Sequence, residues 1–110
     1  MSNILDFNKL KKKYFTVTLA DEEKTTLLVT PPTKSIFDDF INMKDNLTSE
    51  DIADEVLDEL YSICSKLLSR NKANVFISKE KVEEMFDFED IVIFIQAYTK
   101  FINEVTGSKN

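Results

Sequence analysis

"YFTVTLADEEKTTLLVTPP", Tyr14–Pro32, is the stretch whose pattern sets the fold class. Phe15, Val17 and Leu19 alternate with Tyr14, Thr16 and Thr18, the period of two that lines one face of a strand with apolar side chains. "ADEEK" reads as a charged turn. "TTLLVTPP" reads as a second strand, closed by Pro31 and Pro32 because proline cannot continue a ladder. Two strands with so short a connection predict an antiparallel hairpin. A lone hairpin is marginal in water, so this one must lie on helices or pair with another chain.

Beyond the prolines the period becomes helical. Thr33 or Ser35 can cap "KSIFDDFINMKDN", whose apolar positions are Ile36, Phe37, Phe40, Ile41 and Met43. After the turn "NLT", "TSED" has the form of a capping box, with the Thr48 hydroxyl and Asp51 three residues on. The helix that follows is predicted over about Ser49–Arg70. One half of its circumference holds Ile52, Ala53, Val56, Leu57, Leu60, Tyr61, Ile63, Cys64, Leu67 and Leu68; Ser62, Ser65, Lys66 and Ser69 lie on the other with four acidic residues. So wide a stripe predicts neighbours on two sides.

In "RNKAN", Arg70 and Lys72 complement the negative end of that helix, and Asn71 or Asn74 can take the left-handed cap. "VFI" is a short extended link. Ser78 caps "KEKVEEMFDF", and a break near Asp87–Glu89 leads to a last helix over about Glu89–Thr106, after which "GSKN" frays. The expected class is α+β, an N-terminal β-hairpin followed by about four helices. Residues 1–110 form one domain: a loosely held start at 1–12, the hairpin at 13–32 and the helical part at 33–106.

The last helix carries a puzzle. Ile91, Phe94, Ile95, Tyr98, Phe101, Ile102 and Val105 make one apolar stripe. At about 100° per residue, Val92 points a quarter-turn off it and Ile93 nearly backwards. Either this helix is central and covered on all sides, or it owns a second apolar face that a partner or another copy covers. Candidate partner-binding residues on that second reading are Val92, Ile93 and Ala97 here and Leu57, Tyr61 and Leu68 on the preceding helix.

Composition narrows the chemistry. A formal charge of −6 argues against non-specific attraction to nucleic acid or to an anionic bilayer. No apolar run approaches the ~20 residues of a membrane span, and the start lacks the apolar core of a signal peptide. These features predict a cytoplasmic protein, as does a single cysteine. With no histidine, and its one glycine at position 107, the chain lacks the commonest general base and any glycine-rich phosphate loop. The acidic groups Asp38–Asp39, Glu50–Asp51–Asp54–Glu55 and Glu83–Glu84–Asp87 lie on helices without a calcium-type loop and read as solvated surface. Cys64, among leucines, reads as a buried thiol. The expectation is a protein-binding chain that is not an enzyme, with no catalytic residues, metal or cofactor.

Two segments resemble one family. "KKKYFTVTLADEEKTTLLVTPPT", Lys11–Thr33, is similar to the lysine-led strand, turn and proline-closed strand that open the short tail assembly chaperones of long-tailed phages and prophages of Gram-positive bacteria. "LLSRNKANVFISKEKVEEMFDFEDIVIFIQAYTKFINEV", Leu67–Val105, resembles their second half: an "LSxN" helix end, a basic loop, a serine-capped helix with "VEE", and a closing helix with Tyr98 and Phe101 in place. The likeness covers about two-thirds of the chain; Ser35–Asp58 matches only in being acidic and helical. It implies a non-enzymatic protein that binds the tape measure protein; the tail tube protein is the further partner expected, and a homo-oligomer the expected state. It would keep the tape measure protein soluble in the bacterial host cytoplasm and be absent from the mature virion. Many members are also made as a longer frameshifted product. The competing expectation is an acidic regulatory or inhibitory module that occupies a partner's basic site.

Overall fold

The computed structural model describes residues 4–7, 13–46 and 54–107. Its elements are β1 (Phe15–Thr18), β2 (Thr26–Val29), α1 (Lys34–Asn46), α2 (Asp54–Ser69), α3 (Lys79–Met85) and α4 (Phe88–Thr106). This is the hairpin-then-helices order expected of the sequence. The proposed capping box at Thr48–Asp51, the first turn of the helix expected from Ser49, and most of the 1–12 start lie outside the described residues.

β1 and β2 pair antiparallel, with Phe15 opposite Val29 and Val17 opposite Leu27. The Leu19 N–H donates to the Thr25 carbonyl at 2.8 Å and closes the hairpin. Within the turn, the Asp21 carboxylate accepts the Thr25 N–H at 2.9 Å and its hydroxyl at 2.8 Å. Those two bonds, with Lys81 3.6 Å away, hold the Asp21 carboxyl below its ordinary range. Lys24 takes the left-handed conformation the turn needs, at φ 52°.

The hairpin lies on α4. Phe15 stacks on Phe101 at 5.5 Å between ring centroids and meets Tyr98 edge-on at 5.9 Å. Its far side is stitched to the end of α2: Thr30 donates to the Arg70 carbonyl at 2.7 Å, Lys72 donates to the Leu28 carbonyl at 2.9 Å, and Val29 and Asn71 form an isolated bridge. Arg70, the residue after the last of α2, spends its side-chain hydrogen bonds on the hairpin. Its guanidinium donates twice to the Pro31 carbonyl, at 3.1 and 3.0 Å, because β2 runs past it.

Between Thr33 and Ser35, the cap of α1 is Thr33, whose hydroxyl accepts the Ile36 N–H. Helix α2 touches α1, α3, α4 and β2, in keeping with its wide apolar stripe. Two serines depart from the expected wet side. The Ser65 hydroxyl is buried and donates to the Ile77 carbonyl at 2.6 Å, and Ser69 both donates to that carbonyl and accepts the Ile77 N–H. Among the described residues the extended link at 75–77 pairs with no strand, and these hydroxyls satisfy the backbone of Ile77.

Asn71 and Asn74 divide the expected cap role. Asn74 has the positive φ of 59°, while Asn71 is buried and bonds across the loop. Ser78 caps α3 by accepting the Lys81 N–H. The break before α4 falls at Phe86–Asp87, slightly earlier than expected. Asp87 and Asp90 form a reciprocal capping box there, at 2.8 and 3.1 Å. At the other end Gly107 does not simply fray; at φ 71° it is the left-handed C-cap, a conformation glycine adopts without strain.

Candidate partner-binding surface

Helix α4 buries its main apolar stripe and leaves Ile93 outside it. Ile91, Phe94, Ile95, Tyr98, Phe101 and Ile102 are buried. Tyr98 is central: its ring meets Phe40 edge-on at 5.2 Å, and burial raises its phenol well above the ordinary range. Among the described residues its hydroxyl has no hydrogen-bond partner. Val92 is half-buried, and Ile93 is 58% exposed. A helix enclosed on every side is therefore not what forms.

Ile93 and Ala97, one turn apart, form one wall of an open groove of about 350 Å³. Phe15 and Val17 of β1 form the opposite wall, with Phe86 and Phe94 also in the lining and Thr16, Thr18 and Asp90 at the rim. The remaining candidates do not join it. Tyr61 is half-buried and its phenol donates to the Phe86 carbonyl at 3.1 Å, tying α2 to the junction before α4. Burial, then the nearby Asp87 carboxylate, raises its pKa. Leu57 packs half-buried against the core. Leu68 is a correction: it is 0% exposed and belongs wholly to the core, because the end of α2 is covered by other elements of the chain.

A second groove, of about 280 Å³, was not anticipated. Pro31, Pro32 and Phe37 face Ile102 and Val105 near the end of α4, with Thr33, Lys34 and Thr106 around them. Val105 lies on the apolar stripe of the last helix, yet it is 36% exposed. No local feature of the sequence marks Val105 as less covered than the rest of its stripe; the groove depends on where β2 and the start of α1 lie relative to the end of α4. Elsewhere Phe76 is 77% exposed in the link between α2 and α3.

A third, polar cleft of about 310 Å³ separates α1 from α2, with Asp39, Glu59 and Lys66 among its lining residues. Lys66 lies 3.9 Å from Asp39. Acidic side chains elsewhere are paired along the surface: Asp38 with Lys34 at 2.7 Å, and Asp58 with Lys79. Among the described residues no three metal-ligating side chains cluster, and no helix is long and apolar enough to cross a membrane. Cys64 is buried and its thiol is pushed up to about 12 by desolvation.

Compared with protein-family models, curated proteins and solved structures, the chain finds no match.

Proposed function

We propose that this chain is a tail assembly chaperone of the long-tailed phage type. In this reading it holds the tape measure protein soluble in the host cytoplasm until tube subunits polymerise around it, and it is not retained in the virion. The observation that carries the proposal is the Pro31–Phe37–Val105 groove, an apolar slot open to solvent on an acidic chain. Such a slot suits one or two apolar anchors of an amphipathic client helix. Many copies along one long client then gain by multivalency. The resemblance of the hairpin and of the Leu67–Val105 half supplies the client class.

The test is co-expression with the long, helical product of a neighbouring tail gene, followed by the soluble fraction of that client. The expected result is a soluble complex with the wild-type chain and client aggregation with Val105→Asp. A client equally soluble with and without this chain overturns the proposal. Salt separates it from an acidic inhibitor of a basic site: apolar contacts persist at 1 M salt, where the Debye length is about 3 Å, while steering by charge is lost.

A further inference from the structure

We propose that two copies of this chain associate edge to edge through β1, antiparallel about a two-fold axis at Val17, to make one four-stranded sheet. The hairpin has two outer edges, and among the described residues only one is covered. That of β2 is occupied by the Arg70 carbonyl and the Lys72 N–H. On β1, bonding alternates. Leu19 bonds to Thr25, and the Leu28 carbonyl turns away toward Lys72. With Thr16 opposite Leu28, it follows that Phe15, Val17 and Leu19 bond to β2 while the N–H and C=O of Thr16 and Thr18 point outward. Among the described residues nothing takes those outward groups, so β1 presents an open template for another strand.

Charge names the occupant. In sequence β1 is preceded by Lys11, Lys12 and Lys13 and followed by Asp21, Glu22 and Glu23. An antiparallel copy lays the basic end of one strand against the acidic turn of the other, twice per dimer. The two-fold at Val17 sets Thr16 opposite Thr18 of the copy and Phe15 opposite Leu19, which keeps the apolar faces of both strands on the same side. It also brings Lys13 to the Asp21 turn. Because only the even-numbered groups point outward, register shifts come in steps of two. One such shift sets Lys13 against Leu19, and the other carries Lys13 past Asp21 to Glu23 and sets Tyr14 against Glu22. The groove beside this edge, walled by Ile93 and Ala97, is covered by the same event. The inference concerns how copies meet, not which client they hold.

The experiment is sedimentation equilibrium of the full chain over a concentration series, with cross-linking of cysteine variants. The wild type is expected to move to twice 12.7 kDa as concentration rises. Thr16→Pro removes an outward N–H, which an edge strand tolerates, and is expected to give a folded monomer by circular dichroism. Val17→Cys is expected to form an interchain disulfide under mild oxidation, since the two Cα atoms would lie about 4.5 Å apart in a non-hydrogen-bonded pair. Thr18→Cys faces Thr16 of the copy and is expected not to. A wild type that stays monomeric throughout, a Thr16→Pro variant that dimerises undiminished, or Thr18→Cys cross-linking as fast as Val17→Cys each overturns the proposal. The readouts are mass and cross-link, so a client that proves not to bind leaves this inference standing.

Discussion

Asn71 holds both backbone groups of Val75: its side-chain oxygen accepts the Val75 N–H at 2.9 Å, and its amide donates to the Val75 carbonyl at 2.8 Å. The same amide donates to the Leu68 carbonyl at 2.8 Å. One buried carboxamide thus ends α2, shapes the loop and presents the Asn71 backbone to Val29 of the hairpin. Replacing it by alanine leaves three backbone groups short of partners. Asn71→Ala is expected to lower stability by about 2–4 kcal/mol, read as a lower urea midpoint at unchanged slope. A loss within experimental error would mean that water replaces the amide without penalty.

Tyr98 offers the opposite case. Its hydroxyl is buried, and no described group bonds to it, so removing the oxygen costs nothing in paired hydrogen bonds. Tyr98→Phe keeps the ring contacts with Phe15, Phe40 and Phe101 and is expected to be neutral or to raise stability by about 1 kcal/mol. Tyr98→Asp, which buries a charge at the same place, is expected not to fold. Thermal melts of the two variants beside the wild type decide both expectations.

Alkali should unfold the chain through its buried thiol. Cys64, ordinarily titrating near 9.0, is pushed up to about 12 by burial. Between those values the unfolded chain has lost this proton and the folded chain keeps it. Fewer protons bound in the unfolded state means that stability falls as pH rises across the window. The slope approaches about 1.4 kcal/mol per pH unit for one group. Tyr98, raised in the same direction, steepens the fall above its own ordinary range. Urea midpoints from about pH 8 to about pH 11 should drop in the wild type and drop less steeply in Cys64→Ala, whatever that variant's starting stability.

What the sequence disclosed was direction around an axis, and what it withheld was extent along one. Alternation in Tyr14–Leu19 and the three- and four-residue steps of α4 suffice for the hairpin and the buried stripe, because burial of one face imposes those periods. They place Ile93 off the stripe correctly. They cannot tell that Val105, on the stripe, outruns its neighbours at the helix end, or that Leu68, grouped with exposed candidates, is roofed over. Serine shows the same gap. A helical wheel sends Ser65 and Ser69 toward water, but a hydroxyl is equally content with the backbone of Ile77, and only the path of the link decides. The Ile93–Ala97 groove needed the hairpin's position over α4, a tertiary fact with no local signature.

The two apolar grooves flanking α4 predict separable defects. Ile93 is 58% exposed, so Ile93→Asp moves a charge into water and should cost no more than about 0.5 kcal/mol of stability. It also sets a carboxylate beside the β1 edge near Asp90, where any strand laid against that edge would have to desolvate both. Self-association is therefore expected to weaken while the melting temperature holds. Val105→Asp, at the other groove, is expected to leave mass unchanged and lose the client. Ile102→Asp, one turn earlier and buried, should fail to fold, since an unpaired interior charge has no compensating partner. Melting curves, equilibrium mass and client solubility, measured on the three variants together, distinguish these outcomes. If Ile93→Asp unfolds the domain, the outward face of α4 is part of the core and the case for a second apolar face fails.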